Sequence, residues 1–169
     1  LSFPGLEGLG NFCVPGTSVP APTRCDTACR SGQNQSVRDP APRALYLHAA
    51  LAEIPRLLGA IDRNPYRATY GCLDRQFWHY RTASFPSEMY QEGALPLALA
   101  CTTRLPQNPW HGNARVRELA AAAIRFAARS AHRDGSCDDY YPFERALGAA
   151  GFSLEATAHA YQQLDLDDS

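Results

Sequence analysis

The sequence predicts an all-α fold built of αα-hairpins and entered through an irregular N-terminal segment. Three observations carry that expectation. From Arg43 onward, apolar side chains recur at helical spacing in four successive stretches, each bounded by proline, glycine or a capping residue. No stretch keeps the apolar–polar alternation of a half-buried strand. Residues 1–42 are instead rich in Gly, Pro, Ser and Thr, and Pro15, Pro20, Pro22, Pro40 and Pro42 would each interrupt a helix or ladder. The expected organisation is a lead-in over 1–42 and a helical domain over 43–169.

Leu45, Leu47, Leu51, Ile54, Leu57, Leu58 and Ile61 describe the first helix, with Pro55 as a kink and Asn64-Pro65 beyond its end. An irregular stretch then runs to about Ser84. The second helix is expected from Pro86, capped by Ser84 and with Glu88 near its positive end. It carries Met89, Leu95, Leu97 and Leu99 towards Leu105, with a kink at Pro96. After the turn at 106–112, Asn113 caps a third helix whose stripe is Val116, Leu119, Ala120, Ala123, Ile124 and Ala127; Asp134-Gly135 stops it. The fourth is expected from Pro142, with Asp139 as cap and Phe143, Leu147, Ala150, Leu154, Ala158 and Tyr161 as its buried face. Gly148 and Gly151 inside that helix predict a close neighbour, because each costs about 1 kcal/mol against alanine.

Composition narrows the function. The 169 residues are 45% apolar and 20% charged, enough for one domain with a core. A net charge of −1 argues against nucleic acid, and charged or amide side chains interrupt every apolar window that could span a bilayer. All sixteen cationic residues are Arg, whose fork pairs bidentately with carboxylate or sulfate. Cys101 falls in an apolar helical run and reads as a core residue. Cys13 with Cys25-x-x-x-Cys29 lacks a second pair and a His at ligand spacing, so no metal and no cofactor is expected.

Two segments crowd aromatic and ionisable side chains just ahead of helices, as a carbohydrate site requires. One is Tyr70-Gly71-Cys72-Leu73-Asp74-Arg75-Gln76-Phe77-Trp78-His79-Tyr80; the other is Asp138-Asp139-Tyr140-Tyr141-Pro142-Phe143-Glu144-Arg145. Tyr140, Tyr141, His79 and Glu144 are the candidates for proton transfer, and Arg75, Trp78, Tyr80, Arg145 and Trp110 for holding a sugar. Each has an ordinary alternative. The tyrosines would pack at a helix entry, Glu144 would favour the helix dipole, and Asp74 would pair with Arg75. If both segments serve one cleft, His79 or Arg75 should lie near Tyr140 or Tyr141.

These segments, with Asp62-Arg63-Asn64-Pro65, Phe85-Pro86 and Gln91-Glu92, resemble the N-terminal helical domain of bacterial heparinase II/III-like polysaccharide lyases over about residues 43–164. The resemblance implies hairpins of an incomplete α/α toroid and a remainder of a longer chain. It implies β-elimination on uronic-acid polysaccharide, an acidic partner; location is left open by the sequence, with a periplasmic or secreted one expected. Characterised lyases open a helix with an Asn-His pair where this chain has Phe143-Glu144-Arg145. That departure keeps two alternatives open: a noncatalytic polysaccharide-binding or scaffolding module, and a glycoside hydrolase of the toroid type.

Overall fold

The computed structural model describes residues 42–167, which belong to one compact unit. The lead-in and its cysteines at 13, 25 and 29 lie outside the described residues. Within them the fold is helical and holds no strand; Cys137 and Ala146 form an isolated bridge. Helix α1 spans Pro42–Ala60, α2 Ala94–Thr102, α3 Ala114–Ser130 and α4 Leu147–Leu164. A π-helical turn, Gln76–Tyr80, and a 3-10 turn, Glu88–Gly93, lie between α1 and α2.

Helix α2 is the centre. It is apolar all round, buries Ala94, Leu97, Ala98, Ala100 and Cys101, and packs against α1, α3 and α4. It is also shorter than the sequence predicts. Pro96 has no N–H for the Glu92 carbonyl, so the ladder cannot run unbroken from Pro86; residues 88–93 coil as a 3-10 turn instead. Pro96 then sits in the first turn of α2, where a missing donor costs little, rather than at a kink.

Helix α3 matches its predicted stripe. The Asn113 side chain caps it by accepting the N–H groups of Arg115 (3.0 Å) and Val116 (3.1 Å). The alanine face over 120–123 is buried against α2 and against the turn at Gly71. Gly71 has φ +91°, and a Cβ there would collide with the Ala122 carbonyl. Helix α1 contributes mainly through its C-terminal half: Ile54 and, just beyond the helix, Ile61 are buried, whereas Leu45 and Tyr46 are exposed.

Helix α4 departs furthest from expectation. It begins at Leu147, not Pro142, because two carboxylates hold the preceding loop in a non-helical path. Glu144 accepts the N–H groups of Asp139, Tyr140 and Tyr141 at 3.2, 2.9 and 3.4 Å. Asp138 accepts those of Phe143 and Arg145 at 2.9 and 3.4 Å. Phe143 and Arg145 take left-handed φ of 62° and 54°, which a right-handed helix cannot contain. Asp139 caps nothing; it receives the Ser87 hydroxyl at 2.5 Å.

The buried face of α4 is also not the predicted one. Ser153, Ala160 and Leu164 point inward, while Phe143, Leu147, Leu154 and Tyr161 are exposed. The small face lets α4 lie close over α2 and the 3-10 turn. A Cβ at Gly148 or Gly151 would meet nothing within 4 Å, so neither glycine marks a tight neighbour. Arg117 donates to the Leu164 carbonyl and satisfies the last turn of α4.

Two buried polar side chains organise this packing. Gln91 accepts the Leu73 N–H (2.7 Å) and donates to the carbonyls of Gly71 (3.2 Å) and Ala123 (3.0 Å). Glu88, 5% exposed, accepts the Ser130 hydroxyl at 2.9 Å. Its backbone N–H donates to the Asp138 carbonyl (3.0 Å), and its own carbonyl accepts the Ser153 hydroxyl (3.3 Å). Burial pushes the Glu88 carboxyl up to about 7, against the opposing bond from Ser130.

Gln91→Leu is expected to cost about 2–4 kcal/mol, because it leaves the buried Leu73 N–H without an acceptor; denaturant melts measure it. For Glu88, the folded state holds its proton more tightly than the unfolded chain, whose ordinary value is 4.5. Stability should therefore fall as pH rises from about 4.5 to about 7 and stay at the lower level above. The loss is on the order of 3 kcal/mol. Glu88→Gln should remove this fall; an unchanged slope in melts between those pH values would refute the assignment.

Candidate functional site

A cleft of about 750 Å³ opens where the end of α1, the turn after it, the π-helical turn and the start of α3 meet. Its construction starts at Asp62. This buried carboxylate accepts the Asn64 N–H (3.1 Å) and the Thr69 hydroxyl (2.6 Å), and the Asp62 backbone exchanges bonds with Gly71 and Cys72. The turn so fixed projects Arg63 and Arg67 to the surface. Neither makes an ion pair among the described residues.

Asp74 builds the next wall. It accepts the N–H groups of Gln76 (2.9 Å), Phe77 (3.3 Å) and Ser87 (3.1 Å), and does not pair with Arg75. The π-helical turn it starts is wide enough that consecutive rings meet edge to face. Trp78 and His79 lie 5.1 Å apart between centroids, and His79 and Tyr80 4.8 Å. Trp78 Nε1 donates to the Ala60 carbonyl at 2.8 Å, which locks the indole against the end of α1. Arg81, in the left-handed region at φ 55°, closes the turn.

Trp110 supplies the third wall, its backbone N–H donating to Asn108 Oδ1 at 3.0 Å. Asn108 in turn donates to the carbonyls of Ala100 and Thr103, so the 103–113 turn is tied to the end of α2. From α3, Arg115 donates to the Arg63 carbonyl (3.0 Å) and pairs with Glu118 (2.5 Å). Glu118 also accepts the Tyr70 hydroxyl at 2.7 Å, which, with Arg115, holds its carboxyl below the usual range. Trp78, His79, Trp110, Arg63, Arg67 and Arg115 thus share one cleft.

The predicted residues divide between sites. Trp78, His79 and Trp110 line the cleft just described; Tyr140 lines another, of about 670 Å³, with Asp74, Gln76, Tyr90 and Asp139. The 70s segment and the 138–145 loop do meet, but through Ser87, which binds Asp74 and Asp139, and not through His79 or Arg75. Tyr140 and Tyr141 are 74% and 69% exposed and stand on a loop ahead of α4, not in its first turn. Glu144 is engaged by three backbone donors, which hold its carboxyl below the usual range. Arg145 pairs with Asp134 at 3.1 Å, and Arg75 lies over the Tyr80 ring at 5.1 Å.

Sequence reading missed Arg63, Arg67 and Arg115 as cleft residues, although Asp62-Arg63-Asn64-Pro65 stood out as a motif. It also missed the buried carboxyl of Glu88, read as a first-turn dipole partner. Among the described residues no group of His, Cys, Asp and Glu is placed to hold a metal, and no helix is long and apolar enough to cross a membrane. No family model, curated protein or solved structure matches the chain.

Proposed function

We propose that this chain is part of a polysaccharide lyase-like protein, its helices hairpins of an α/α toroid, and that the Trp78–Trp110 cleft holds a segment of acidic polysaccharide. The observation that carries the reading is the convergence of two tryptophans, a histidine and three arginines on one open cleft. Indole faces take the C–H faces of pyranose rings, and unpaired Arg63 and Arg67 offer forks to uronate carboxylates or sulfates.

In β-elimination a base removes the C5 proton alpha to the carboxylate, the electron pair forms the C4–C5 double bond, and the bond from C4 to the glycosidic oxygen breaks as that oxygen takes up a proton. Arginine beside the carboxylate stabilises the charge that develops there. His79 is the imidazole at this cleft and is the group assigned to proton transfer. A second reading, a noncatalytic binding module, is favoured by Glu144, whose carboxylate is committed to its own loop, and by Tyr140 and Tyr141, which stand apart from His79.

Binding of a hexuronate oligomer and of a neutral glucan oligomer tests the cleft. The double substitution Arg63→Gln, Arg67→Gln should weaken hexuronate binding by about tenfold or more, with little change in melting, since both side chains are exposed. Equal affinity for both oligomers would overturn the acidic-sugar reading. Release of an unsaturated uronide, detected by its ultraviolet absorbance and lost in His79→Gln, separates the lyase from the binding module. New reducing ends without that absorbance would mark a hydrolase.

A further inference from the structure

On another face, a groove of about 510 Å³ runs between α3 and α4. Ile124, Ala128 and Ala131 line one wall, and Leu154, Ala158 and Tyr161 the other. The α4 wall follows helical spacing over about two turns, and it faces the last turns of α3 at Ile124 and Ala128, with Ala131 in extended backbone just beyond that helix. The α4 ridge continues outward to Leu147, and Leu147 and Leu154 are 76% and 68% exposed. At the floor lies Glu88, whose carboxylate makes no ion pair among the described residues; the other acid of the groove, Asp167, is exposed and accepts the Tyr161 hydroxyl at 2.6 Å.

We propose that this groove docks an amphipathic helix that brings one arginine or lysine down onto Glu88. The ridge spacing and the small alanines of both walls admit a helix at close range, and the exposed leucines provide its apolar anchors. The carboxylate decides the chemistry of the occupant. A wholly apolar helix would keep Glu88 as the neutral acid and give it no new partner, whereas a cation meets the ionised carboxylate directly. Leu147, Leu154 and Tyr161 repeat every seven residues along α4, the spacing with which one helix lies along another.

The test uses the full chain and two blocked Leu/Ala peptides of about 15 residues, long enough for three to four turns. Both place leucines on one face; they differ only in a central Arg or Gln on that face. By fluorescence anisotropy at about pH 8.5, where Glu88 is ionised, the Arg peptide should bind at least about tenfold more tightly than the Gln peptide. That preference should vanish on Glu88→Gln, which is isosteric and whose melt reports its folding. Leu154→Asp, at an exposed position, should weaken both peptides while the helix content stays constant. Equal binding of the two peptides, binding of neither, or indifference to Leu154→Asp would overturn the proposal. So would concentration-dependent dimers of the chain that Leu154→Asp abolishes, which would assign the groove to a second copy.

Discussion

The structure depends on the amide of Gln91. It reaches from the 3-10 turn into the backbone of two other elements, the 71–73 segment and the middle of α3. An amide suits this place because it offers both an acceptor and donors, and the segment around Gly71 presents both kinds of backbone group. A carboxylate would face two carbonyls, and an apolar side chain would leave the buried Leu73 N–H without its acceptor. Gly71 completes the contact by letting the backbone approach Ala122 where a Cβ has no room. With that junction made, Asp62, nine residues before Gly71, and Asp74, directly after Leu73, are held where their own bonds form the walls of the Trp78–Trp110 cleft.

The acidic side chains do more architectural work than their positions in the sequence announce. Asp62, Asp74, Asp138 and Glu144 each accept backbone N–H groups of neighbouring loop residues. These bonds replace the ladder that irregular backbone lacks, and they compete with helix where a helix was otherwise possible. Ser87 links two of these carboxylate-built loops, since its N–H goes to Asp74 and its hydroxyl to Asp139. The two motif-rich segments are therefore neighbours through their structural residues, while their aromatic side chains face different clefts.

Chemical character is divided across the surface in a way that follows from this scaffold. The cleft at the start of α3 is rich in arginine and aromatic rings, whereas the groove between α3 and α4 is apolar with one buried carboxylate. The division arises because α4 turns its small side chains, Ser153 and Ala160, onto the core and leaves Leu147 and Leu154 outside. Close approach of α4 to α2 takes precedence over covering the larger side chains, because a helix of small residues can sit nearer a fully apolar neighbour and exclude more water along its length.

The sequence by itself determined the helical class, the extent of α3 and its cap at Asn113, because a strong 3.6-residue period and a local cap need no distant partner. It also marked Trp78, His79 and Trp110, since aromatic rings crowded into short turns are visible without a fold. Only the tertiary structure decided where α4 begins, because side-chain bonds from Asp138 and Glu144 prevail over a helical pattern that the apolar spacing alone supports. It alone brought Arg63, Arg67 and Arg115 to the indoles, for these meet across a turn and a helix that the linear order keeps apart. It alone turned Glu88 from a helix-entry acid into a buried carboxyl, because burial is a property of what packs above a residue, and the helices that cover it come from far along the chain.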